Sequence, residues 1–262
     1  MIELRHVTKY YPVPSGLRHI LRDVTMTIPG GTNLAVLGPN GAGKSTLLRL
    51  IGGAEAANSG TILSDQSISW PLGLGTGFQQ SLSGLQNVLF VCRINGLTPA
   101  QTRQVIREVV EFAEIGEYFD LPVKTYSSGM RARLSFGLSM AFEFDVYLID
   151  ELTSVGDAVF REKAKRAFNN LRNRASIIFV SHNLQTLKES CDSALFLHDG
   201  EAEYYCNIDE GINAYQEYIR SDRLSHAREI RELKRAKRAE RRSKRQLRKA
   251  GLAAESSNEP EN

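Results

Sequence analysis

Gly38-Pro39-Asn40-Gly41-Ala42-Gly43-Lys44-Ser45, with Thr46 behind it, fits the pattern G-x-x-x-x-G-K-S from end to end. A short apolar run, Leu34-Ala35-Val36-Leu37, leads into it, and Thr46–Ile51 continues with helical spacing. Strand, glycine-rich turn and helix in that order make a cradle for phosphate. The glycines let successive backbone N–H groups turn inward, and the N-terminus of the following helix stands behind them. Lys44 brings a positive charge for β- and γ-phosphates, and Ser45 a hydroxyl for Mg²⁺. Gly38 to Thr46 are therefore candidate ligands of a nucleotide.

Working outward, Asp150-Glu151 closes a second apolar run, Val146-Tyr147-Leu148-Ile149. Carboxylates at the C-terminal end of a strand sit where such sheets bind ligand. Asp150 suits the Mg²⁺ role, and Glu151 suits a base that orients the attacking water. Ile177-Ile178-Phe179-Val180 is also almost continuously apolar, so both runs read as buried strands of a parallel sheet, with Val159–Leu171 as the crossover helix. Thr98-Pro99-Ala100-Gln101 has the chemistry of a helix start, a Thr cap, an early Pro and a Gln three residues on. Val105, Val109 and Phe112 then share a face. Before the loop, Leu4 and Val7, then Val24, Met26 and Ile28, read as strands, with turns at Pro12–Gly16 and Pro29-Gly30-Gly31. No internal repeat occurs, so one such unit is expected and not a tandem pair.

The loop and the carboxylate pair alone permit a GTPase, a kinase or a helicase. Thr125-Tyr126-Ser127-Ser128-Gly129-Met130-Arg131, with Gly129 21 residues before Asp150, separates them. Here the chain resembles the ABC ATPase family, whose signature L-S-G-G-Q occupies this place. Ser127 and Gly129 match, whereas Tyr126, Ser128 and Met130 depart from it. The resemblance implies that Ser127, Ser128, Gly129 and Met130 meet the γ-phosphate of a partner subunit's ATP. It also makes His182, in Val180-Ser181-His182, a sensor of that phosphate, and Asp157 a dimer-contact residue. Tyr11, 27 residues before Gly38, takes the place of the aromatic that stacks on adenine, with Tyr10 as its rival. Gln79, in Gly77-Phe78-Gln79-Gln80, resembles the glutamine that binds Mg²⁺ and links the site to the membrane subunit; Gln80 is the alternative. The words Ile68-Ser69-Trp70-Pro71, Gly77-Phe78-Gln79, Lys124–Arg131 and Leu152–Asp157 look like the capsular-polysaccharide export ATPases of Gram-negative bacteria, a likeness over roughly residues 2–220.

The resemblance implies an α/β fold, a P-loop NTPase nucleotide-binding cassette with an N-terminal antiparallel β subdomain and an α-helical subdomain at about 80–142. The cassette is expected to span 1–220, followed by a basic helical extension at 221–250 and a disordered tail at 251–262. Two copies would form a homodimer around ATP and Mg²⁺ and drive an integral-membrane permease within a polysaccharide export machinery. The place implied is peripheral, on the cytoplasmic face of the inner membrane. Composition agrees: no run of about 18 apolar residues is present, and three scattered cysteines suggest a reducing compartment.

The net charge of +3 conceals an asymmetry. Residues 1–222 hold 20 basic against 24 acidic side chains, whereas 223–249 hold 13 against 3. That extension reads as a solvated charged helix, or as a dock for anionic lipid or an acidic partner. No aromatic interleaves its bases, which disfavours nucleic acid. The rival reading of the whole chain is a soluble non-transport ABC ATPase acting on ribosomes or nucleic acid through this segment.

Overall fold

A computed structural model of the chain describes residues 1–72, 78–150 and 158–222, Ala158 by its backbone alone. Glu151, Asp157, Gly77 and the extension from 223 onward lie outside the described residues. The chain divides into two units, Met1–Tyr215 and Gln216–Asn262. Of the second, only 216–222 are described, and they are helical.

In the first unit β1 (Ile2–Val13) and β2 (Gly16–Ile28) form an antiparallel hairpin, and β4 (Ser59–Ser64) pairs with the other edge of β1. Leu4 and Val7 are both fully buried although they are three residues apart, a spacing that a regular strand would send to opposite faces. A register shift between them, with His6 at φ 51°, turns both inward.

The second sheet has the order β5-β6-β3-β7-β8. β3 (Leu34–Leu37), β5 (Val146–Asp150), β6 (Ser176–Val180) and β7 (Ser193–His198) are parallel, and β8 (Glu201–Tyr205) returns antiparallel. The buried parallel strands expected from the apolar runs are present. The β7–β8 hairpin turns on Asp199 and Gly200, both at positive φ, the geometry that an Asp-Gly pair favours. α1 (Lys44–Ile51) joins the two sheets through a common core. Leu47 and Leu48 pack there with Leu4 and Leu21 from the small sheet and Val36, Leu148 and Leu195 from the large one.

A separate core belongs to α2 (Gly84–Ile94), α3 (Pro99–Ala113) and α4 (Ser128–Met140). Val88, Val105, Val109, Tyr126, Leu134 and Leu138 fill it. The start of α3 carries the full reciprocal cap, Gln101 N to Thr98 and Thr98 N to Gln101. Ser83 and Gln86 repeat this device on α2. The crossover helix α5 (Ala158–Arg172) places Phe160 against Phe136 and Phe112, so Phe112 faces this aromatic contact instead of lying fully within the α2–α4 core. α6 (Leu184–Ser190) follows β6. Cys92 and Cys191 are buried and Cys206 is exposed.

Candidate active site

Parallel strands put their C-terminal ends on one edge, and three candidate segments lie there: the glycine loop, Asp150 and Ser181-His182. β3 ends at Leu37 and opens into Gly38, whose φ of 151° places it in glycine's territory. A methyl group at Gly38 would stand 2.5 Å from the carbonyl of Leu197. Gly43 caps α1 at φ 104°, and a methyl there would run into Ile20 of β2. Neither position admits a side chain, so the loop lies close against the strands on both sides. Arg18, also on β2, donates to the Gly41 carbonyl at 3.1 Å. Lys44 Nζ folds back to the carbonyls of Gly38 (2.7 Å) and Pro39 (3.1 Å), which holds its charge over the turn.

Asp150 closes β5 directly beside Val180 of β6, and Ser181-His182 follow. A small cavity of about 30 Å³ is lined by Gly38, Lys44, Ser181 and His182, so the sequence-predicted histidine and loop lysine do come together. A far larger cavity, about 630 Å³ between α5 and α6, contains none of the motif residues; size here does not mark the chemistry. Asp150 is 8% exposed, and its Oδ2 is buried without a hydrogen-bond partner among the described residues. A buried carboxylate oxygen in that state is costly unless a cation or donor arrives.

Residues 68–72 run along the outer edge of β5, with Ser69 N bonded to Val146 O, Leu72 N to Leu148 O and Asp150 N to Leu72 O. The chain thus passes Asp150 just before 73–77, and it re-enters the described residues at Phe78-Gln79. Asn87 of α2, 2% exposed, then pins Gln79 from both sides: its Oδ1 accepts from Gln79 N at 2.8 Å and its Nδ2 donates to Gln79 O at 3.1 Å. The Gln79 side chain stays at the surface, as does that of Gln80, whose carbonyl accepts from Lys124 N. Asn87 is a residue that motif reasoning gave no role.

Ser127 caps α4, its hydroxyl accepting from Met130 N at 3.2 Å, and Ser127 and Ser128 are exposed. The departure at Tyr126 has a structural reason. Its ring is buried in the helical core and its hydroxyl donates to Tyr118 O at 2.6 Å. Burial raises its pKa, which keeps that hydroxyl a donor. Arg131 Nη1 donates back to Tyr126 O, so the helix N-terminus is tied to a packed anchor. On β1, Tyr11 pairs with Arg18 and Tyr10 with His19. Directly opposed residues share a face, so Tyr11 lies on the side of Arg18, whose guanidinium reaches the phosphate loop. Tyr10 leans on His19, their ring centroids 5.5 Å apart.

Residues 21–154 match the family model described as "ABC transporter". The chain is 48% identical to the polysialic acid transport ATP-binding protein KpsT of Escherichia coli, an alignment covering 83% of this chain and 99% of that protein. It is 44% identical to the capsule polysaccharide export ATP-binding protein CtrD of Neisseria meningitidis serogroup B, over 83% and 98%. Among solved structures, a dimeric ATP-binding cassette in a post-hydrolysis state bound to ADP and Pi matches with a TM-score of 0.64 at 23% identity, covering 78% of this chain and 98% of that one. The last of these speaks for the fold alone.

Proposed function

The chain belongs to the ABC transporter family and is an ATPase of the ABC type, and from that premise we propose that it energises the export of a capsular polysaccharide through a separate membrane subunit. The observation that carries the ATP-driven part of the proposal is the meeting, on one sheet edge, of the phosphate loop, His182 and a buried Asp150 oxygen with no hydrogen-bond partner among the described residues. The relatives named above are transport and capsule-export proteins. Nothing among them supports a ribosome- or nucleic-acid-bound ATPase.

In the proposed mechanism the backbone of Gly38–Ser45 and Lys44 bind the triphosphate, and Tyr11 stacks on the adenine. The donor set for a metal consists of oxygens, from the Ser45 hydroxyl, the Asp150 carboxylate and the Gln79 amide, and suits a hard divalent cation. Bound Mg²⁺ would neutralise charge on the β- and γ-phosphates. Glu151 orients and deprotonates the attacking water, and His182 donates to the γ-phosphate. Two copies face each other so that Ser127–Met130 of one close over the loop of its partner, with Asp157 at the contact. This is the shared-site reading, and the exposed N-terminus of α4 is what supports it.

No helix among the described residues is long and apolar enough to cross a membrane, so the proposed translocation path belongs to another chain. Phe90 and Ile94, 54% and 66% exposed, stand one helical turn apart on α2, just after Gln79. They supply an apolar face for that permease, and the proposed position is the cytoplasmic face of the inner membrane. Deleting the gene in its own host should leave lipid-linked polysaccharide inside the cell. The wild-type chain should restore surface polysaccharide and Lys44→Ala should not. Unchanged surface polysaccharide in the deletion strain would refute the cargo assignment.

A further inference from the structure

Lys9 of β1 is a charged side chain with 7% of its surface exposed, and nothing in the mechanism uses it. A buried ammonium is tolerated only when paired. Its Nζ lies 2.7 Å from Glu55 Oε1 and donates to Ala56 O at 2.8 Å. Glu55, in the loop after α1, collects two more donors. Tyr11 gives its hydroxyl at 2.5 Å, and Arg49 gives Nε to Oε2 at 3.0 Å. Arg49 sits on α1 and sends Nη2 to the Thr46 hydroxyl at 3.0 Å, next to Ser45 of the phosphate loop. One carboxylate therefore joins the base-side strand to the phosphate-side helix. Lys9 Nζ also lies over the Tyr11 ring, 5.0 Å from its centroid. The ring is thus held at its hydroxyl and half-buried against the core.

We propose that Glu55 is a positioning residue for the adenine base: its carboxylate holds Tyr11 by the hydroxyl and sets the ring relative to the phosphate loop before nucleotide arrives. A tyrosine already fixed in its bound rotamer loses less conformational freedom on stacking than a mobile one. The proposal rests on the reading of Tyr11 as the base-stacking side chain.

The test uses the full chain, ATP as one ligand and inorganic tripolyphosphate as a probe without a base. Tyr11→Phe removes only the hydroxyl, and Glu55→Gln removes the charge. Each should weaken ATP binding about 3- to 10-fold, while tripolyphosphate affinity stays at the wild-type value. The double variant should lose no more than either single one, since both cut the same link. Additive losses, an equal loss for tripolyphosphate, or wild-type ATP affinity in both single variants would overturn the proposal. If Glu55→Gln does not fold because Lys9 has lost its partner, Tyr11→Phe decides alone, as it leaves both cations on Glu55. Tyr11→Ala separates the two levels. Unaltered ATP affinity there removes the base-stacking reading itself. A large loss there beside wild-type behaviour of Tyr11→Phe and Glu55→Gln keeps that reading and removes Glu55.

Discussion

Asp150 and Glu151 are neighbours in the chain, yet the proposed chemistry gives one a cation and the other a water. Glu151→Gln keeps the shape and loses the base. It should retain ATP binding, slow turnover by roughly 10²-fold or more as expected for a general base, and accumulate an ATP-bound dimer. Turnover near wild type, measured by phosphate release, would remove Glu151 from the mechanism. Glu55 gives a second expectation, this time in pH. Burial alone would raise its carboxyl, but hydrogen bonds from Lys9, Tyr11 and Arg49 bring it from 4.5 down to about 2. A carboxyl depressed in the folded state stabilises fully above its unfolded value and loses that contribution as pH falls through the folded one. Between pH 4.5 and 2 the wild type should therefore lose stability more steeply than Glu55→Gln in urea titrations. Parallel curves would contradict the ion pairs. The two residues also differ in legibility. Lys44, Asp150 and His182 are readable because loop, strand end and spacing follow the chain. Glu55 lies 44 residues from Tyr11, and only the tertiary fold reveals that they touch.

Elements show the same division. Thr98, Pro99 and Gln101 predict the start of α3, and its cap forms as the chemistry of those side chains dictates. β4 gave no such signal: it is an edge strand with only one half-buried residue in six, so apolar alternation is absent. The β7–β8 hairpin does carry one, Asp199-Gly200 between an apolar and a polar run. Ile68-Ser69-Trp70-Pro71 stands out as a sequence word, while the lodging of 68–72 against β5 depends on backbone bonds that no periodicity encodes. α4 brings the element-scale prediction. Its exposed N-terminus at Ser127 should serve a site on another copy. A Lys44→Ala chain and a Ser127→Arg chain, each inactive alone, should recover part of the ATPase when mixed, because one composite site then carries neither change. Silence from mixtures shown to contain heterodimers would remove independent shared sites from the proposal.

At the scale of the whole molecule the charge asymmetry matters most. The proposed cassette is mildly acidic, and residues 223–249 carry 13 basic side chains against 3 acidic ones. If that segment docks on anionic lipid, the chain should bind phosphatidylglycerol vesicles at low salt and release them as ionic strength rises. Removing 223–262 should abolish vesicle binding, since the remaining surface has a net negative charge at neutral pH. Equal binding to neutral vesicles would defeat the electrostatic explanation. The three thiols offer a way to watch such events. Burial raises Cys191 to about 12 and raises Cys92 as well, while Cys206, just past β8, is exposed. Thiolate is the reacting form, so a maleimide dye at neutral pH should label the native chain at Cys206 alone. Each protomer then carries one fluorophore without any engineered cysteine, and energy transfer between two labelled copies could time the opening and closing of a dimer in solution.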